Sequence, residues 1–139
     1  MRARPSHRGI RHLALHAYAL EEMKRFYTQV LGYVVEWEPD PHNVYLTSGT
    51  DNLALHRAAA MSADRPRTTA PLDHLGLIVA TAADVDAWAE YLGAQGVPLD
   101  KPPKTHRDGA RSFYFSDPDG NQVQIIYHPP ISDASPDAS

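Results

Sequence analysis

The stretch His12-Leu13-Ala14-Leu15-His16-Ala17 decides the fold, because it returns farther along the chain as His74-Leu75-Gly76-Leu77-Ile78-Val79. At an offset of 62 residues His12 falls on His74, Leu13 on Leu75 and Leu15 on Leu77. The correspondence runs on into the next segment, where Met23 falls on Val85, Phe26 on Trp88 and Val30 on Leu92. A repeat of this size in a chain of 139 residues indicates one domain built from two like halves. It also puts two imidazoles at equivalent points of those halves, where a metal can sit between them.

Around the first copy, Ile10–Tyr18 alternates with a strand's period. His12, Ala14 and His16 share one face, and Leu13, Leu15 and Ala17 the other. Leu20, Met23, Phe26, Tyr27, Val30 and Leu31 then keep helical spacing, with Glu21 and Glu22 suited to the start of a helix and Gly32 to its end. Tyr33–Trp37, Val44–Thr47 and Leu53–Arg57 read as three strands between Pro-, Gly- and Asp-bearing turns. The second half repeats the order. His74–Val79 is a strand, Ala83–Gln95 a helix with Val85, Trp88, Ala89 and Leu92 inward, and Val97–Leu99 a short strand before a loop at Asp100–Gly109. Ser112–Ser116 and Gln122–Tyr127 close the half, joined by the turn Asp117-Pro118-Asp119-Gly120.

The expected organisation is a flexible arm at 1–8, a first module at 9–57, a connector at 58–71, a second module at 72–128 and a disordered Pro-, Ser- and Asp-rich tail at 129–139, the two modules forming one domain. Composition narrows the function. With 42% apolar and 22% charged residues the chain is of ordinary soluble character, and its net charge of −4 gives no ground for a nucleic-acid or membrane partner. Having no cysteine, it makes no disulfide, thiolate metal site or cysteine nucleophile. No apolar run is long enough to span a bilayer, and the Arg2–Arg8 start lacks the apolar core of a secretory signal, so a cytoplasmic location is expected. No Gly-rich phosphate loop, nucleophile-elbow serine or His-Glu-x-x-His helix is present. Eight histidines direct attention to metal or proton chemistry.

The order of elements resembles the vicinal oxygen chelate superfamily, which holds glyoxalase I, extradiol dioxygenases, methylmalonyl-CoA epimerase, and fosfomycin and bleomycin resistance proteins. The residues that carry the resemblance are Ile10-Arg11-His12-Leu13-Ala14-Leu15, Arg25-Phe26-Tyr27, Leu31-Gly32-Tyr33, Leu72-Asp73-His74-Leu75-Gly76-Leu77 and Phe113-Tyr114-Phe115-Ser116-Asp117-Pro118-Asp119-Gly120-Asn121. The resemblance implies an α+β fold of two βαβββ modules forming a cupped, barrel-like mixed sheet with helices outside, paired as a homodimer.

The resemblance also implies a divalent metal (Zn, Ni, Fe, Mn or Co) held by the first and last strands of each half. Carried over, the first-strand ligands are His12 and His74, and the last strand of the second half offers Gln124 where the family motif Gly-Asn-x-x-Glu has a carboxylate. The fourth position is open. An offset of 69 pairs Leu55 with Gln124, and a one-residue difference in turn length gives Ala54 or His56. His56 is therefore a further candidate ligand. His16 shares a face with His12 and is the candidate proton acceptor, with a cavity-lining role as the alternative. Tyr45, Arg111 and Tyr114 are candidate substrate contacts. Two functions follow. One is a metal-dependent lyase, isomerase or dioxygenase acting on a small oxygen-bearing substrate chelated by the ion. The other is a metal-free protein of the bleomycin-resistance kind that sequesters its ligand without turnover.

Overall fold

The structure, a computed structural model, describes residues 3–4, 8–59 and 72–132. The first half runs β1 (His12–Ala17), α1 (Leu20–Arg25) continuing as a π-helical turn (Phe26–Val30), β2 (Val34–Asp40), β3 (Asn43–Thr47) and β4 (Asn52–Arg57). The second runs β5 (Leu75–Ile78), α2 (Ala82–Ala94), β6 (Leu99–Thr105), β7 (Arg111–Ser116) and β8 (Gln122–Tyr127), with a short α3 (Pro129–Ser132) after it. Each half forms its own four-stranded mixed sheet, in the orders β1-β4-β3-β2 and β5-β8-β7-β6. The first strand pairs in parallel with the last, and the remaining pairs are antiparallel. The α+β architecture of two βαβββ modules is thus the one expected. The sheets do not close into a barrel: they stay separate, with β1 and β5 as edge strands.

The expected arm at 1–8, connector at 58–71 and tail at 129–139 fall largely outside the described residues. Where the tail is described it is not irregular. Pro129 opens α3, a place where its missing N–H costs nothing, and Ser132 Oγ accepts from the His128 N–H at 2.9 Å. Among the described residues no helix is long and apolar enough to cross a membrane.

Three further elements differ from the sequence reading. The stretch Leu99–Thr105, expected to be loop from Asp100 onward, is β6. Proline cannot donate to a ladder, and β6 tolerates two of them because it is an edge strand with register shifts between Leu99 and Lys101 and between Lys101 and Lys104. The short strand expected to begin at Val97 begins only at Leu99, and Val97 instead closes the turn that follows α2, its N–H donating to the Leu92 carbonyl. The single helix expected over Leu20–Leu31 widens after Arg25, where Leu31 N–H reaches back five residues to the Phe26 carbonyl. The wide turn keeps Met23, Tyr27 and Leu31, four residues apart, all buried. The second helix starts as its sequence suggests: the Thr81 hydroxyl accepts from Asp84 N–H, and the Asp84 carboxylate accepts from Thr81 N–H.

Helix-facing side chains of both sheets meet in one core, Leu15, Val44, Leu46, Leu53 and Leu55 from the first and Phe113, Phe115, Val123 and Ile125 from the second. Phe26 touches Phe115 across the halves, with ring centroids 6.1 Å apart. The turn between β7 and β8 adds a polar joint. Asp119 accepts from the N–H groups of Tyr18 and Ala19 at 2.6 and 2.9 Å, where the chain enters α1. Asp117 accepts from the buried Tyr27 hydroxyl at 2.9 Å, from Asp119 and Asn121 N–H, and from Asn121 Nδ2. Burial pushes the Asp117 carboxyl above its ordinary range, and burial beside this carboxylate pushes the Tyr27 hydroxyl well up.

Removing the Tyr27 hydroxyl with Tyr27→Phe should cost roughly 2 kcal/mol, the worth of a buried hydrogen bond to a charged acceptor. Asp119→Ala should cost about 1 kcal/mol, as for a lost helix cap. Urea titrations should show both as lower midpoints with an unchanged slope.

Candidate functional site

The helices cover one side of each sheet and leave the other open. In β1 the helix side carries Leu15 and Ala17, and the open side His12, Ala14 and His16, all exposed. Parallel pairing sets Asn52 opposite His12, Ala54 opposite Ala14 and His56 opposite His16. Antiparallel pairing then sets Asn43 opposite His56 and Tyr45 opposite Ala54. All of these side chains therefore share the open face of the first sheet. Trp37 on β2 opposes Tyr45 and stacks on it, with centroids 5.2 Å apart and planes at 22°. The His56 ring meets Tyr45 edge-on at 5.7 Å. The predicted residues His12, His16, His56 and Tyr45 are thus brought onto one surface. Trp37, read from sequence only as the last residue of a strand, joins them there with 59% of its surface exposed.

The open face of the second sheet is built the same way. Gly76 and Tyr114 both oppose Gln124, which is buried. Gly76 is close above the amide, since a Cβ there would lie 3.7 Å from Gln124 Oε1. His74, just before β5, packs edge-on against Tyr114 at 5.4 Å and holds the Asp73 carboxylate through Nδ1 at 2.6 Å. Lys101 Nζ lies 5.2 Å from the centre of the Tyr114 ring. Arg111 is not part of this face. It alternates with Tyr114 to the helix side, where its guanidinium makes two bonds to Asp86 of α2, at 2.7 and 3.1 Å, and a third to Thr105. That pairing holds the Asp86 carboxyl below its usual range.

A cleft of about 390 Å3 lies beside the edges of β1 and β5, within the usual size of small-molecule sites. His12 and His74 both line it, with Leu13, Leu53, Leu75 and Leu77 as apolar wall. Tyr33 also borders the cleft and donates to Asp51 at 3.0 Å, and burial raises its hydroxyl above the ordinary tyrosine range. The two histidines that the repeat pairs thus both border this cleft.

The family model for the Glyoxalase/Bleomycin resistance protein/Dioxygenase superfamily matches residues 9–125. The chain belongs to this superfamily. Solved structures of similar fold include a lactoylglutathione lyase from Agrobacterium tumefaciens, at 24% identity over 86% of this chain and 92% of that one, with a TM-score of 0.71. Others are glyoxalase/bleomycin resistance protein/dioxygenase proteins from Alicyclobacillus acidocaldarius (23% identity, 86% and 91% covered, TM-score 0.69) and Nocardioides (24% identity, 91% and 85% covered, TM-score 0.68). At these identities the likeness establishes the fold alone. No curated protein sequence matches the chain at a significant level.

Within the superfamily frame the strand register answers which residue is the counterpart of Gln124. Ala54 opposes Ala14 and Tyr45 as Gln124 opposes Gly76 and Tyr114, so of the three residues left open it is Ala54 that corresponds to Gln124. Leu55 points into the core, and His56 lies two residues along the same face from Ala14 and Ala54, opposite His16. The side chains that correspond to the family's four ligands therefore offer three donors, two imidazoles and one amide oxygen, while Ala54 offers only a methyl group. Among the described residues no three His, Cys, Asp or Glu side chains are grouped to hold an ion. A divalent cation among neutral ligands lacks the charge compensation that carboxylates provide. This donor set does not fit a metal held by protein side chains alone.

Because Arg111 faces α2, Arg111→Ala should lower the melting temperature only slightly, as for an exposed ion pair, and leave binding of an aromatic molecule such as p-cresol unchanged. Thermal melts and NMR titrations of the same preparation check both halves of this expectation.

Proposed function

We propose that the chain is a ligand-binding member of the superfamily that takes up a small, planar, oxygen-bearing molecule on the open face of the first sheet, beside the His12–His74 cleft, without a protein-held metal. The observation that supports this reading is the Trp37–Tyr45 stack. A large indole lies exposed on a sheet face, next to half-buried imidazole and phenol rings, which is a surface that a flat molecule covers with gain of apolar contact. His12, His16 and His56 supply polar contacts along the same face, and His74 supplies one at the cleft. On this reading His16 orients the ligand. The sequestering function expected as the second reading of the sequence thereby becomes the first.

The competing reading is a metal-dependent lyase, isomerase or dioxygenase, with His16 as proton acceptor. One observation favours it: His12 and His74 line the same cleft. With Gln124 they leave most of an ion's coordination shell to be filled by substrate and water. Pairing of two chains belongs to the same proposal, supported by exposed Val34, Val35 and Ile78 on β2 and β5, and light scattering on the purified chain measures it.

Elemental analysis after dialysis separates the two readings. The expected result is a metal content far below one ion per chain. Trp37→Ala should then weaken p-cresol binding about tenfold, the loss of one stacked aromatic contact, read from shifts of ligand and backbone NMR lines. Near-stoichiometric metal that is lost in His12→Ala and His74→Ala would establish the enzyme reading instead.

A further inference from the structure

Two histidines of the first sheet are held by the same device. His12 and Asn52 are direct cross-strand partners, and so are His56 and Asn43. His12 Nδ1 lies 2.8 Å from Asn52 Oδ1, and His56 Nδ1 lies 2.6 Å from Asn43 Oδ1. The other end of each amide is already committed. Asn52 Nδ2 donates to Glu36 at 2.7 Å, and Asn43 Nδ2 donates to both oxygens of Asp40 at 2.9 and 3.0 Å. A carboxylate only accepts, so neither amide can turn over without setting oxygen against oxygen. Each Oδ1 therefore faces its imidazole as an acceptor, and in the neutral ring the proton must sit on Nδ1. The lone pair is left on Nε2. His74, whose Nδ1 meets Asp73, reaches the same state without an intervening amide.

We propose that Asn52 and Asn43 are positioning residues that fix His12 and His56 as Nδ1–H tautomers, so that the open face presents Nε2 atoms as hydrogen-bond acceptors and selects a neutral ligand bearing O–H or N–H donors. The ligand half rests on the binding function proposed above; the tautomer half stands without it. A fixed acceptor discriminates. A donor on the ligand gains a bond, an ether oxygen at the same point gains none, and an anion meets a lone pair backed by Glu36 or Asp40.

The test has two arms. Long-range proton–nitrogen NMR spectra of the full chain at about pH 8, above the ordinary histidine range, report which ring nitrogen carries the proton. His12 and His56 should be Nδ1–H. Asn52→Leu should release His12 only, Asn43→Leu should release His56 only, and Asn52→Asp combined with Glu36→Gln, which keeps an acceptor on the ring without setting carboxylate against carboxylate, should retain the His12 signature. Rings protonated at Nε2 in the unaltered chain, or unmoved by the leucine variants, overturn the positioning role. Should a leucine variant unfold, Glu36→Gln and Asp40→Asn free the far ends of the amides and should loosen the same tautomers.

The second arm compares p-cresol with 4-methylanisole, which has the same ring but no donor. The phenol should bind about tenfold tighter, the worth of one hydrogen bond, and the preference should shrink in His12→Ala and His56→Ala. Equal binding of the two overturns donor selection while sparing the aromatic-ligand reading. Binding of neither overturns that reading and the ligand half with it, whatever the tautomers.

Discussion

Parallel pairing of the first strand with the last is the constraint on which the candidate site depends. In the first half it aligns His12 with Asn52, Ala14 with Ala54 and His16 with His56. In the second it aligns Gly76 with Gln124. Strand side chains alternate, so a slip of one residue in either ladder would send these groups into the apolar core and bring leucines to the surface. The leucines that prevent the slip are Leu15, Leu53 and Leu55, which have no other place to bury. The polar face is thus held in register by the hydrocarbon on its reverse side.

The halves are then locked together through the turn between β7 and β8. Its two aspartates are nearly inaccessible, and burial of carboxylates is costly unless every oxygen finds a donor. Here the donors come partly from the first half, as backbone N–H groups at the entrance to α1 and as the Tyr27 hydroxyl. A turn that reads as local chemistry is therefore also a tertiary contact. It ties the entrance of α1 and the Tyr27 ring to the β7–β8 end of the second sheet.

Much of this was legible in the residues. The repeated His-Leu-x-Leu pattern led to two like sheets, and its two histidines do border a common cleft. Alternation placed His16 with His12. The same rule, applied across Arg111-Ser112-Phe113-Tyr114, separates Arg111 from Tyr114 by three residues and so puts them on opposite sides; grouping them by proximity along the chain ignored this. What stayed hidden depends on register between strands. A one-residue ambiguity in turn length left Leu55, Ala54 and His56 as alternatives, and no local signal distinguishes them. The His12–Asn52 and His56–Asn43 pairs are invisible for the same reason, since their partners lie 40 and 13 residues apart. Trp37 follows a register shift in β2 that interrupts simple alternation, and β6 was masked by its prolines.

Those prolines have a consequence beyond the strand that contains them. The outer edge of the second sheet is β6, with Pro102 and Pro103 among lysines, and the outer edge of the first is β2, with Pro39 among acidic residues. A strand lacking N–H groups at such points is a poor template for a newcomer, and charge deters one further. Both outer margins are therefore protected against edge-to-edge polymerisation and fibril growth. The other two edge strands, β1 and β5, lack proline and border a common cleft, so the devices against added strands are concentrated at β2 and β6.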